Sequence, residues 1–310
     1  DRHQSASKVF SKQNDQTRSK KIGCICKKTT SEYNSLYFIM YDVISDVEKS
    51  FKAKLRVIAK EKNRDPADLW QSLTLERFLV RLAKSEYSKH FVLKGGILLS
   101  KYIEIGRETT DLDFLAQKIS NEASKLKVVF EKIASIDLQD GFSFREIKSN
   151  ELTHPHMGYP GVEVSMMAYF GKTRFKVSID IGFGDIVNPV KYAIPLTSSS
   201  KGDLFEHSVN LSCYPKEFIL AEKLETIIHR GSFNSRMKDF HDLYSMITSL
   251  DFSSFHDLDK IIHLVFKHRE TKLTLPIVFT EEAQSRMQIF WNEYLRSLRP
   301  EHISPLPRNI

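Results

Sequence analysis

Leu93-Lys94-Gly95-Gly96, followed after a short apolar stretch by Asp111-Leu112-Asp113-Phe114-Leu115, is the part of the sequence that decides the fold. Side chains alternate along a strand, so the carboxylates at i and i+2 share one face while Leu112 and Phe114 take the other. Two like charges held that close repel, and each resists burial, so the pair is costly unless a divalent cation neutralises it. Carboxylate oxygens suit Mg²⁺, which is commonly shared with substrate phosphates and water. The glycine pair upstream lets backbone approach a phosphate chain closely. A phosphate cradle beside a metal-holding strand points to nucleotide chemistry.

Working outward, apolar residues at helical spacing predict a helix over 41–61. Asn63-Arg64-Asp65-Pro66 breaks it, with Asp65 as N-cap and Pro66 at the first position of a second helix running to about 85. A strand over 91–93, a helix over 97–103, the strand 111–116 and a helix over 119–136 follow. Alternation then predicts strands over 142–147, 161–170 and 174–181, with shorter strand-like pieces over 192–196 and 208–213. Beyond Tyr214-Pro215 the pattern is helical, over 216–230, 236–249, 256–269 and 281–298. The expected class is α+β or α/β, with a mixed sheet and a C-terminal helical domain. The expected divisions are a basic extension over 1–39, a core over 40–213 and the helical domain over 214–310.

Residues 1–30 hold eight Lys or Arg against Asp1 and Asp15, so most of the net charge of +7 sits there and the rest of the chain is near neutral. Such an arm is expected to be disordered or a leader, and global charge says little about a polynucleotide partner. Cys24, Cys26 and Cys213 cannot form a disulfide framework, and Cys-x-Cys lacks the companions of a zinc site. Free thiols in a reducing cytoplasm are expected. No apolar run approaches a membrane span.

Three further groups carry candidate chemistry. Asp180 lies opposite an apolar strand face, either solvent-exposed or completing a three-acid cluster with Asp111 and Asp113 that could activate a hydroxyl for displacement at phosphorus. Asp185, in Gly-Phe-Gly-Asp, is expected to cap a loop. Lys223 interrupts the Ile219/Ile227 stripe, so it either snorkels or aims an ammonium at triphosphate charge. Asp239 and Asp242 share a helix face, as a solvated helix start or as acids fixing Lys223 or Lys238. His154-Pro155-His156 has no nearby acid or cysteine and is assigned nothing.

The strings "FVLKGGILLSKYIEIGRETTDLDFLAQ", "VSIDIGFGD", "YPKEFILAEKLETII" and "SRMKDFHDLY" together resemble the nucleotidyl transferase AbiEii/AbiGii toxin family. That family is MenT-like and similar to DNA polymerase β-type nucleotidyltransferases, and the likeness spans about residues 42–270. It implies a polymerase-β-type core with Gly95 and Gly96 at the phosphates and Asp111, Asp113 and Asp180 on Mg²⁺, or Mn²⁺ in its place. It further implies Lys223 and Asp239 in the catalytic set, with Arg107, Lys238 and Asp242 beside the nucleotide. The implied partners are an NTP, tRNA or another RNA as acceptor, and a cognate antitoxin, with no membrane. Two departures stand out: Ile97 follows Gly96 where many relatives place Ser or Thr, and Thr110 precedes Asp111 where arginine is familiar. The expected activity is transfer of NMP to an acceptor hydroxyl. A protein or small-molecule acceptor, or a nucleotide-binding regulator without turnover, are the alternatives.

Overall fold

The computed structural model describes residues 48–152, 161–303 and 305–310. The expectations for 1–39, for Cys24 and Cys26, for the helix start over 41–47 and for His154-Pro155-His156 lie outside them. The chain divides between Lys54 and Leu55. In the first part the described residues 48–54 are helical, and Lys52 pairs with Glu48 at 2.6 Å. Everything below belongs to the second part, which opens with helical residues 55–61.

Helix α1 (Pro66–Lys84) starts as its sequence predicts: the Asp65 side chain accepts a hydrogen bond from the Ala67 N–H at 2.7 Å, and proline stands at its first position. Its inner face buries Leu69, Leu73, Phe78, Leu79 and Leu82. After β1 (Phe91–Lys94) come α2 (Gly95–Tyr102), β2 (Asp111–Ala116) and α3 (Ala123–Ala134). Strands β3 (Phe142–Leu152), β4 (Gly161–Phe170), β5 (Thr173–Gly182) and β6 (Val190–Pro195) follow, then a two-residue ribbon, β7 (Ser198–Ser199) and β8 (Gly202–Asp203), and finally β9 (Ser208–Cys213). The main sheet has seven strands in the order β3-β4-β5-β2-β1-β9-β6. It is mixed, because β2 runs parallel to β5 and antiparallel to β1, while β1 runs parallel to β9.

One face of this sheet is sealed by aromatic packing. Phe78 of α1 stacks on Phe130 of α3 at 5.9 Å, and Phe91 meets both Phe130 and Phe114 edge-on. Trp70 stacks on Phe175 and packs against Phe142 and Phe170. Buried Arg77 and Arg81 converge on Asp140, at 2.7 and 2.9 Å, which satisfies three charges that burial would otherwise penalise. With Leu112, Phe114, Val177, Ile179 and Ile181 all buried on this side, alternation leaves Asp111, Asp113, Ser178 and Asp180 for the other.

Helices α4 (Lys216–Arg230), α5 (Met237–Ser249), α6 (Leu258–His268), α7 (Glu281–Ser297) and α8 (Pro300–Ile303) complete the chain, with a short turn, Gly231–Phe233, between α4 and α5. Met237, Met287, Trp291, Leu295 and Leu306 form a small core of their own. The mixed sheet and the C-terminal helices agree with the expected class. Several boundaries differ: β6 starts at Val190 and not at 192, and α6 at Leu258 and not at 256. α3 begins at Ala123, because Lys118 takes a left-handed φ of 55° and Ser120 Oγ accepts from the Glu122 N–H, closing a turn ahead of it. β3 reaches Leu152 through a register shift between Arg145 and Lys148, where Glu146 has φ 57°. α2 starts at Gly95 itself. Among the described residues no helix is long and apolar enough to cross a membrane.

Candidate active site

Strand register brings the predicted acids into one row. Asp113 stands opposite Asp180 of β5 on one side and opposite Lys94 of β1 on the other, with Asp111 opposite Ser178. Side chains at facing positions on adjacent strands point the same way, so Lys94, Asp113 and Asp180 share a face. The charges respond to one another. Burial, then Asp111 and Asp180, push the Asp113 carboxyl up to about 6, while Lys94 and Lys238 pull against them. Among the described residues no three His, Cys, Asp or Glu side chains close into a metal cage. The acids form an open row, with Asp180 exposed. Magnesium seldom needs a cage, since it keeps waters and takes one or two carboxylates together with substrate phosphates. An all-oxygen donor set whose mutual repulsion raises a pKa therefore fits a hard divalent cation.

Gly95 is tied to this row. Its φ is 73°, and a Cβ there would lie 1.8 Å from Asp113 Oδ2, so both conformation and space exclude a side chain. No side chain caps the start of α2, which leaves its first N–H groups and dipole for an anion beside the acids. A Cβ on Gly96 would come within 2.9 Å of Thr109 Oγ1 and 3.0 Å of Arg107 Nη2. Thr109 Oγ1 is buried without a hydrogen-bond partner. Sequence reading missed this residue. Its only signal was the i−2 spacing from Asp111, which keeps it on the acids' side of an extended chain. Gly95→Ala is expected to cost about 1–2 kcal/mol for the left-handed backbone and to displace Asp113. Urea unfolding together with nucleotide binding measures both, and an unchanged profile would remove the cradle.

Lys223 neither snorkels nor reaches openly into a cleft. Its Nζ pairs with Asp239 at 3.0 Å and Asp242 at 2.6 Å, so the two acids of α5 fix Lys223. Burial opposes the ammonium, but Asp242 and Asp239 hold its pKa above the usual lysine value. Asp242 also accepts two 2.7 Å bonds from Arg107 Nε and Nη2, and Asp239 accepts one from Arg236 Nε at 2.8 Å. The Arg107 fork thus faces Asp242, joining the loop before β2 to α5. Lys238 is exposed on the first turn of α5.

The loop-cap expectation for Asp185 is wrong. Its carboxylate accepts from Lys94 Nζ at 2.8 Å and from Arg269 Nη2 at 3.1 Å, and Tyr214 Oη lies 3.4 Å away. Glu222 joins both cations, at 3.4 and 3.1 Å. The short loop after β5 therefore feeds an acid under Lys94 instead of closing on itself. Burial resists ionisation of Asp185, yet Lys94 and Arg269 bring its pKa from 3.8 down to about 2. A depressed carboxylate stabilises the fold above its unfolded pKa and loses that contribution as pH falls through the folded value. Asp185→Asn should therefore be less stable near neutral pH and show a flatter loss of stability from about pH 4 to about pH 2. Urea midpoints across that range check this, and two parallel curves would contradict it.

A depression lined by His263, Phe266, Lys267, Thr271, Leu273 and Leu275 bears no carboxylate and lies on α6 and the chain after it. The acid row remains the chemically equipped surface. A sequence model of the family described as "Nucleotidyl transferase AbiEii toxin, Type IV TA system" matches residues 77–308. The nucleotidyltransferase toxin MenT4 from Mycobacterium tuberculosis has a similar structure at 14% identity and TM-score 0.49, covering 80% of this chain and 91% of that one. JHP933 from Helicobacter pylori is similar at 15% identity and TM-score 0.42, covering 75% and 95%. No curated protein is significantly similar in sequence.

Proposed function

The chain belongs to the AbiEii family of nucleotidyl transferase toxins of type IV toxin–antitoxin systems, and on that premise we propose that it transfers NMP from an NTP to a hydroxyl on RNA, tRNA above all, in the cytoplasm. The observation that carries this reading is the placement of Asp113 between Lys94 and Asp180, against the uncapped start of α2. Asp111, Asp113 and Asp180 would hold Mg²⁺, which would supply neutralisation of triphosphate charge and polarisation of the phosphorus centre.

The α2 N–H groups at Gly95 and Gly96, with Thr109 Oγ1, take the phosphate oxygens of the NTP. The acceptor oxygen bonds to the α-phosphorus, the bond to the bridging oxygen breaks, and pyrophosphate leaves. Asp180, the exposed acid, receives the hydroxyl proton. Lys238, exposed on the first turn of α5, offsets negative charge on the leaving group, and Lys223, buried between Asp239 and Asp242, positions that helix. Asp239, Asp242 and Arg107 act as positioning residues with Lys223. A regulator without turnover draws support from Ile97, which lacks a hydroxyl, but Thr109 supplies one beside the same glycine.

The test is purified protein with Mg²⁺, each labelled NTP in turn, and tRNA, total protein or no acceptor. Label in tRNA with release of pyrophosphate is expected. Label in protein would reassign the acceptor, and nucleotide binding without pyrophosphate would favour the regulator. The family implies a cognate antitoxin.

A further inference from the structure

Phe233 is 79% exposed, more than any other large apolar side chain among the described residues. It stands at the end of the turn Gly231–Phe233, which joins the helix carrying Lys223 to the helix carrying Asp239 and Asp242. The turn is anchored on both sides of the ring. Asn234 is fully buried, and its Oδ1 accepts from the Arg236 N–H at 2.9 Å. Helix α7 packs against the turn, and the Arg286 guanidinium, itself paired with Glu282, lies 5.3 Å from the Phe233 ring centroid. A large ring left in water forfeits burial worth about 2–3 kcal/mol unless something covers it.

The surroundings indicate what covers it. From His229 to Lys238 the chain has no acid and includes Arg230, Arg236 and Lys238, all exposed, of which Arg236 is held by Asp239. Ser232 and Ser235 flank the ring in the chain, so its own segment is polar and basic apart from the ring itself. A lone aromatic face framed by cations matches single-stranded nucleic acid, in which bases stack while Lys and Arg track the phosphates. Position agrees with this, because the helix that follows the turn carries Asp242, which is bonded to Arg107, and Arg107 Nη2 in turn lies against Gly96 at the start of α2.

We propose that Phe233 is a stacking platform for an unpaired base of a single-stranded polynucleotide acceptor, with Arg230 and Lys238 on its backbone phosphates, leading the strand along α5 toward the acid row. The strand's destination rests on the transfer reading above. Its binding does not.

The test measures anisotropy of the full chain with a labelled oligoribonucleotide of about ten nucleotides, single-stranded or in duplex, at about 50 and 200 mM salt. Phe233→Ala should weaken single-strand binding about 5- to 150-fold, with duplex binding and NTP affinity unchanged. Phe233→Trp should restore binding and be quenched by the oligonucleotide, a signal separable from Trp70 and Trp291, both buried. Arg230→Gln should reduce the salt slope by roughly 0.7. Unchanged single-strand affinity in Phe233→Ala overturns the proposal. So does a loss confined to NTP binding, which would give the ring to the donor base, or a loss confined to a protein partner. Asp113→Asn separates the two readings: it should bind oligonucleotide like the parent while failing to transfer. Retained transfer would sink the catalytic reading and leave the platform standing.

Discussion

Asp113→Asn is expected to lower nucleotide transfer about a thousandfold or more, equivalent to roughly 4 kcal/mol of transition-state stabilisation, while leaving the melting temperature unchanged or slightly higher. The two effects have opposite signs for one reason. In the protein without substrate, Asp113 is destabilised by burial and by Asp111 and Asp180, so a neutral amide relieves repulsion. In the reaction that same concentration of negative charge is what a divalent ion and its triphosphate require, and an amide oxygen is a far weaker ligand. Lys94 does not lose its anchorage, because Asp185 and Glu222 hold it independently. Steady-state incorporation of labelled NMP and thermal unfolding are the paired measurements. Activity within tenfold of the parent would show that the acid row is not the reaction centre.

Asp242→Ala should have the largest effect on stability, about 3–5 kcal/mol. The Asp242 side chain is fully buried and accepts from both forks of Arg107 as well as pairing with Lys223. Burial alone would raise its pKa, but Arg107 and Lys223 hold it below the usual carboxylate range, so the charge is present at every working pH. Removing it leaves a guanidinium nine-tenths buried without its bidentate partner and leaves Lys223 with Asp239 alone. A domain of this kind typically has about 5–15 kcal/mol in all, so the variant is expected to express poorly. Asp242→Asn, which keeps the shape, and an Arg107→Ala/Asp242→Ala cycle in urea make the result interpretable. Coupling of about 0.5–3 kcal/mol between the two positions is expected, and additive losses would mean that the pair does not act as a unit.

Much of this architecture is written locally. Alternation through Leu112, Phe114, Val177, Ile179 and Ile181 sets the strands and forces Asp111, Asp113 and Asp180 to the opposite side of the sheet. Asp65-Pro66 places the start of α1 to the residue. The i, i+4 position of Lys223 marks it as unusual. The two largest boundary misses fell where a single residue adopts a left-handed conformation, at Lys118 and Glu146, which apolar periodicity does not register.

Which charge meets which was another matter. From the sequence, Asp239 and Asp242 could fix Lys223 or Lys238 equally well, and Asp185 reads as a loop residue. Its partners, Lys94 and Arg269, lie 91 and 84 residues away, and Arg107 reaches Asp242 across 135. Periodicity within an element is enforced by covalent geometry over a few residues, so the sequence alone determined the elements and the face each acid occupies. Ion pairs between elements depend on how helices dock on the sheet, and many Lys, Arg, Asp and Glu residues are chemically interchangeable candidates until that docking brings a few of them within 3 Å. The face that each acid takes was therefore legible in the chain, while the pairing of β2 with β5 that sets Asp113 beside Asp180, and the buried braces around Lys94 and Lys223, were decided by the packed structure.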